Sequence, residues 1–239
     1  MTNSKDRITS RTNPRIKALL DIKKEPNADA FLIEGKHLCD MALEAGCLKE
    51  TFALEEMDYP NLTLVSRDVL EKVASSFTPS GLIGVAKAPS YKHKNKKALV
   101  LDRVQDPGNV GTLLRTALAF GYDEVFLTKG SASPYSFKTI ASSQGALFGL
   151  EIHYGVEIDA MVKELKARGY SLYASALRNA KPLKEIAHPE GSFALIVGNE
   201  GQGISPSLLE LSDTIIKIEM EGIESLNVGV AGGILMYQL

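Results

Sequence analysis

The chain has 239 residues, a net charge of −2, 44% hydrophobic residues and two cysteines. That length holds one large or two small domains of ordinary globular composition. No apolar run approaches the ~20 residues that span a bilayer, and the N-terminal MTNSKDRITSR lacks the apolar core of a secretory signal. Cys39 and Cys47 belong to no Cys/His cluster with metal-site spacing, so the expectation is a cytoplasmic protein with no structural metal and no membrane partner.

In chain order, residues 14–24 read as an amphipathic helix with Ile16, Leu19, Leu20 and Ile22 as its apolar residues, Asn13 as N-cap and Pro14 at the first helical position. A strand over 30–33 runs into Glu34-Gly35, and a helix over 36–45 is closed by Gly46. Strands follow at 50–54 and 62–66, then a helix at 67–75 with Val69, Leu70 and Val73 at helical spacing, then a strand at 82–86. Short strands alternating with helices predict a compact α/β unit over residues 1–88. Residues 89–97 are polar and basic, open on Pro89, and read as a linker.

A second unit, 98–239, opens with a strand over 99–101 plus Val104. Asp106-Pro107-Gly108 is a turn sequence, and Asn109 is the expected N-cap of a helix that runs to Phe120 and stops at Gly121. A strand at 124–127 precedes a helix at 136–147, whose small residues Ala141, Ser142, Ser143, Gly145 and Ala146 permit close helix packing. Then come a strand at 151–154, a helix at 159–168 stopped by Gly169, a strand at 170–176 and a short helix at 182–187. The alternation predicts a mostly parallel sheet with helices on both faces.

Residues 193–239 organise the rest. A short apolar run, 193–197, has the length of a buried parallel strand and empties into Gly198-Asn199-Glu200-Gly201-Gln202-Gly203. Glycines there permit positive φ and let backbone N–H groups approach a ligand. A strand over 214–220 breaks at Gly222 into Glu224-Ser225-Leu226-Asn227, and a glycine- and alanine-rich helix runs to the end. Ligands of open α/β sheets bind just beyond the carboxyl ends of strands. One glycine-rich loop does not by itself distinguish a ligand site from a turn, and its spacing matches neither the dinucleotide fingerprint nor a P-loop.

Charge is unevenly spread. Residues 1–97 hold 16 Lys+Arg and 13 Asp+Glu, a net of +3, and residues 98–239 hold 11 and 16, a net of −5. Lys5, Arg7, Arg11, Arg15, Lys17, Lys23 and Lys24 face only Asp6 and Asp21 in sequence, and Lys87, Lys92, Lys94, Lys96 and Lys97 cluster with His93 and no acid. Basic patches attract phosphate regardless of base sequence, so nucleic-acid gripping by the front unit is the functional expectation; a solvated helix face and a soluble linker are the alternative.

Three ordered motifs carry a resemblance. DPGNVGTLLRTA over 106–117, GNEGQG over 198–203 and ESLNVGVAGGIL over 224–235 resemble the motifs of the SpoU/TrmH family of RNA ribose 2′-O-methyltransferases, in the SPOUT superfamily. Phe31-Leu32-Ile33-Glu34-Gly35 and Thr78-Pro79-Ser80-Gly81-Leu82 are similar to that family's N-terminal substrate-binding domain. The resemblance implies an α/β fold with a trefoil knot in the C-terminal unit, an exception to the near absence of knots. It implies a small α/β/α ribosomal-protein-like domain in front. It also implies S-adenosylmethionine as cofactor, RNA as substrate (ribosomal RNA rather than transfer RNA) and a homodimer formed through the C-terminal unit. Residue by residue, it puts Asn109, Arg115, Glu200, Ser225 and Asn227 at catalytic positions. Gly198, Ile218 and Leu226 fall where backbone cradles the cofactor, and no metal is implied.

A ribose hydroxyl is a poor nucleophile until it loses its proton, and a guanidinium holds its own proton above pH ~12. Arg115 therefore reads as a phosphate binder that stabilises negative charge developing on the 2′-oxygen, with the base unassigned. Ser225 and Asn227 also read as a cap of the final helix. The family often has Pro where this chain has Glu219. Two other readings are opposed by the same sequence. A catalytically inactive RNA-binding protein of the same fold is opposed by the intact polar motif residues. A nicotinamide-dependent dehydrogenase is opposed by the missing G-x-G-x-x-G after the first strand of the second unit.

Overall fold

The computed structural model describes residues 7–76, 78–91 and 96–239. Lys5, Asp6, Lys92, His93 and Lys94 of the basic clusters lie outside the described residues. The front unit comprises α1 (Pro14–Lys24), β1 (Phe31–Glu34), α2 (Lys36–Glu44), β2 (Leu48–Ala53), β3 (Leu62–Leu64), α3 (Arg67–Val73) and β4 (Leu82–Ala86). Its sheet has the order β1-β4-β2-β3, with β4 antiparallel to both neighbours and β3 parallel to β2. Side chains alternate across the pleat. Phe31 and Ile33 pack with Leu38, Cys39 and Ala42 of α2, whereas Leu32, Ile83 and Val85 pack with α1 and α3. The result is the expected α/β/α layering.

The second unit comprises β5 (Lys97–Asp102), α4 (Pro107–Ala119), β6 (Glu124–Thr128), α5 (Phe137–Ser143), β7 (Glu151–Val156), α6 (Ile158–Ala167), β8 (Ser171–Ser175), β9 (Lys181–Pro182), β10 (Phe193–Gly198), α7 (Pro206–Glu210), β11 (Thr214–Lys217) and α8 (Val228–Gln238). Seven strands pair in the order β7-β6-β5-β10-β8-β11-β9, every pairing parallel. Leu99, Leu101, Leu195 and Val197 form one core with residues of α4 and α8; Ala98, Val100, Ala194 and Ile196 form the other with residues of α6 and α7. Burial on both faces explains why these strands read as unbroken apolar runs. The chain steps outward from β5 through β6 to β7, then continues on the far side with β10 filling the place beside β5. Between β5 and β10 the strand order therefore reverses, which is where such sheets open a crevice.

Three expected elements change. The helix foreseen over 136–147 ends at Ser143, because Gln144 and Gly145 take φ of 51° and 84°, and a 3-10 turn follows at Ala146–Gly149. The break admits Met41 of α2: a Cβ on Gly145 would lie 2.4 Å from its Sδ. Residues 182–187 form a short strand end and a 3-10 turn at Leu183–Glu185, and α7 went unforeseen. The strand expected over 214–220 stops at Lys217. The linker is not the main tie between the units, since Tyr135, Ile140, Leu147 and Phe148 share one buried cluster with Phe31, Ile33 and Leu38. The Phe31 and Tyr135 rings stack at 5.3 Å, and the Tyr91 hydroxyl donates to the Phe148 carbonyl.

Candidate active site

The start of α4 corrects the expected cap. Asp106, not Asn109, is the N-cap: its Oδ1 accepts the Asn109 N–H at 2.9 Å, and its Oδ2 accepts from Lys138 at 3.1 Å. The Asn109 amide first, and Lys138 second, hold the Asp106 carboxyl below the usual carboxylate range. Asn109 thus sits inside the first turn with its side chain free for other work. Its Nδ2 donates to Glu200 Oε1 at 2.9 Å, and its Oδ1 accepts from Asn227 Nδ2 at 2.9 Å. The Asn227 Oδ1 caps α8, accepting from Gly229 N at 2.9 Å and Val230 N at 3.3 Å.

The direction of this chain is dictated by chemistry. An ionised carboxylate only accepts, so Asn109 must turn its NH₂ to Glu200 and its oxygen to Asn227. Asn227 must then donate its NH₂ and keep its oxygen for the helix N-terminus. Three loops, from the ends of β5, β10 and β11, are thereby locked together. The helices beneath run side by side in the same direction. Gly229 meets Thr112, Gly232 meets Leu113 and Gly233 meets Thr116, and a Cβ on Gly232 would come within 2.3 Å of Leu113. Gly111 does the same job against α5, where a Cβ would lie 2.5 Å from that of Ser142 and 2.6 Å from the Thr139 carbonyl oxygen.

The glycine-rich loop folds back on itself. Asn199 and Gly203 exchange backbone hydrogen bonds of 3.0 and 2.9 Å, and Asn199 Oδ1 accepts the N–H groups of Gly201 and Gln202, each at 2.9 Å. A Cβ on Gly198 would lie 2.4 Å from backbone atoms of Gly203 and Ile204, so no side chain fits there. Beyond the ends of β8, β10 and β11 opens a cleft of about 620 Å³, lined among others by Gly198, Glu200, Ile218, Met220, Ser225 and Leu226. Residues 218–226 make no backbone–backbone hydrogen bond among the described residues. Of these residues Ile218, Met220, Glu224, Ser225 and Leu226 line the cleft, so their N–H and C=O groups are open to a ligand there. Glu219 ties this segment to Lys184, just after β9, at 2.9 Å, where a proline would have stiffened the backbone.

Residues 96–237 match the model of the SpoU rRNA Methylase family. The chain belongs to this family. It is 40% identical over 245 residues, covering 97% of this chain and 98% of the relative, to the 23S rRNA (guanosine(2553)-2'-O)-methyltransferase RlmP of Bacillus subtilis (strain 168). Among solved structures, the AdoMet-bound rRNA methyltransferase from Sinorhizobium meliloti is similar with a TM-score of 0.85 and 26% identity, covering 98% of this chain and 96% of that one. A structure described as an RNA 2'-O ribose methyltransferase is similar with a TM-score of 0.77 and 32% identity, covering 98% and 97%.

In this SpoU methylase chain, the fold brings together Asn109, Glu200 and Asn227 of the motif residues. It leaves Arg115 and Ser225 outside their hydrogen-bond chain. Arg115 is exposed and has no ion pair or hydrogen bond among the described residues. Ser225 is exposed at the cleft and likewise unpaired among them. Leu118 of α4, although apolar, is 37% exposed. Two residues were passed over in the sequence: Asp102, wholly buried at the end of β5, and Arg103 after it, with φ of 56°. An acid closing the apolar run of β5 was a readable signal; the left-handed backbone was not.

The basic arm is largely committed within the SpoU chain's own front unit. Arg7 donates to the Leu54 carbonyl at 2.9 Å and Lys23 to that of Ala74 at 2.6 Å. Arg15 binds Glu50 at 2.7 Å and Thr63 at 2.8 Å and lies 5.0 Å over the Phe52 ring. Arg11 pairs with Asp68 at 3.7 Å. At the amino ends of the strands, far from the cleft, Glu124, Glu151 and His153 bring three ligand atoms within 4.8 Å of one another. Arg168 already binds both Glu124 oxygens there, at 2.8 and 2.7 Å. No helix among the described residues is long and apolar enough to cross a membrane.

Proposed function

We propose that this chain transfers the methyl group of S-adenosylmethionine to a ribose 2′-hydroxyl of RNA, with ribosomal RNA as substrate. The observation that carries the reading is the Glu200–Asn109–Asn227 chain at the rim of a cleft whose lining segment offers unpaired backbone groups. That lining fits the cofactor, because Ile218 and Leu226 have no polar side-chain atoms and recognition there falls to the backbone. Gly198, Ile218 and Leu226 would hold it, and when bound it supplies a methyl group made electrophilic by the sulfonium. Arg115 binds the phosphate beside the target ribose and stabilises negative charge growing on the 2′-oxygen, as preorganised donors do. Asn109, fixed by Glu200 on one side and Asn227 on the other, orients the RNA, and Ser225 flanks it at the cleft. Near-attack positioning then supplies much of the acceleration.

The front unit, residues 1–88, is proposed to grip the RNA; Arg11 keeps 55% of its side chain exposed despite its ion pair. We also propose a homodimer. Within one chain α8 is covered on one side only: Val230, Ile234 and Tyr237, at helical spacing, are 53%, 40% and 74% exposed, and Phe120 packs edge-on against Tyr237. A second copy covering this stripe removes it from water. Light scattering across micromolar concentrations tests this, and a persistent mass of 25.9 kDa rejects it. The trefoil knot and a cytoplasmic location belong to the same proposal and rest on family membership.

The test of function is single-turnover reaction with labelled S-adenosylmethionine and ribosomal RNA, together with mapping of ribose methylation in total RNA with and without the gene. The substrate named for the Bacillus subtilis relative, a guanosine of 23S rRNA, is the first to examine. Labelled 2′-O-methyl ribose is expected. RNA binding without any methylated product would favour the inactive reading.

A further inference from the structure

We infer that Asp102 and Arg103 form a clasp that holds the glycine-rich loop in shape from behind, and so set the affinity of the cleft for S-adenosylmethionine. The inference rests on the proposed function. Asp102 is 0% exposed. A buried carboxylate persists only when its oxygens are paired. Oδ2 accepts the Ser205 N–H at 2.6 Å, and Oδ1 accepts the Thr128 hydroxyl at 3.1 Å. Arg103 Nε and Nη2 approach the two oxygens at 3.4 Å each. Ser205 lies just past the glycine-rich loop, so the carboxylate pins the loop's exit to the end of β5.

Arg103 pins the rest. Its carbonyl accepts Asn199 Nδ2 at 2.9 Å, its Nη1 donates to Gln202 Oε1 at 3.0 Å, and its Nη2 reaches the Gly203 carbonyl at 3.4 Å. Its N–H donates to Thr128 Oγ1 at 3.0 Å, and the Thr128 hydroxyl in turn donates a hydrogen bond to Asp102, which joins the end of β6 to the same clasp. Asn199, Gln202 and Gly203 line the cleft, and Arg103 does not. Arg103 is therefore a positioning residue that acts through the loop.

The backbone strengthens the case. A φ of 56° suits glycine and disfavours arginine. Glycine there would relieve the backbone, so what an arginine adds at this position is its side chain. An outlier of this kind beside a ligand loop points to function.

The experiment uses the full-length protein and two variants. Arg103→Lys keeps a cation beside Asp102 but loses the fork that reaches Gln202 and Gly203. Arg103→Gly frees the backbone and loses every guanidinium contact. Calorimetric titration with S-adenosylmethionine is expected to show affinity weakened about fivefold in Arg103→Lys and about tenfold or more in Arg103→Gly, the scale of one or two lost hydrogen bonds. Arg103→Lys should melt within about 2 °C of wild type, and KM for the cofactor should rise by a larger factor than kcat falls. Wild-type affinity in both variants overturns the clasp, as does a loss of affinity that only tracks a loss of thermal stability. If the wild type itself fails to bind S-adenosylmethionine, the proposed function fails, and the inference falls with it.

Discussion

The basic arm of the front unit and Arg115 of the parallel-sheet unit are treated in opposite ways. The front unit is rich in Lys and Arg, yet Arg7, Arg11, Arg15 and Lys23 all reach carbonyls, carboxylates or an aromatic ring of that same unit. The parallel-sheet unit carries a net of −5 over residues 98–239, yet it leaves Arg115 exposed and unpartnered among the described residues. Net charge reports what a region contains, whereas a binding site depends on which charges the fold leaves unspent. A cation already satisfied inside the protein must give up that partner to take a phosphate, and among the described residues Arg115 has none to give up.

Replacing Arg115 is the largest way to break this contrast. Arg115→Ala should lower single-turnover methyl transfer by about 100-fold or more, the cost of removing a donor to developing charge, while S-adenosylmethionine affinity changes less than about tenfold, or ~1.4 kcal/mol. An equal loss of cofactor binding would place Arg115 at the cofactor instead. Asn227 sharpens the contrast at intermediate size, because one side chain both caps α8 and holds Asn109. Asn227→Ala should cost ~1 kcal/mol of cap, a fall in melting temperature of about 2–4 °C. Asn227→Asp keeps the capping oxygen but turns an acceptor toward Asn109 Oδ1, so stability should hold while transfer falls roughly tenfold. Parallel losses of stability and activity in both variants would mean that the bond to Asn109 does nothing beyond folding.

Arg15→Ala is the smallest and tests the other side. Its ion pair is nearly half-exposed, so screening limits the loss of stability to about 0.5 kcal/mol by thermal melting. The dependence of RNA affinity on salt should hardly change. A drop of about 0.7–0.9 in the slope of log affinity against log salt would show that Arg15 contacts a phosphate after all.

By itself the sequence determined the strand–helix alternation, the parallel character of the second sheet, the three polar loops and the motif residues within them. The motif residues come from the resemblance; the other features depend on neighbours within a turn or a pleat. An apolar run such as Phe31-Leu32-Ile33, or a Gly that closes a helix, is visible in any short window. The capping of α4 was local too, but two residues competed for it. Asp106 took it across three positions, which released Asn109 to bonds spanning 91 and 118 residues, to Glu200 and to Asn227. The partners of the basic arm, Met41 filling the break at Gly145, and the left-handed Arg103 reaching Gln202 across 99 residues belong to the same class. Only the tertiary structure decided these, because periodicity and propensity act along the chain over a few residues, whereas hydrogen bonds and ion pairs form between whichever groups the completed fold brings within about 3 Å.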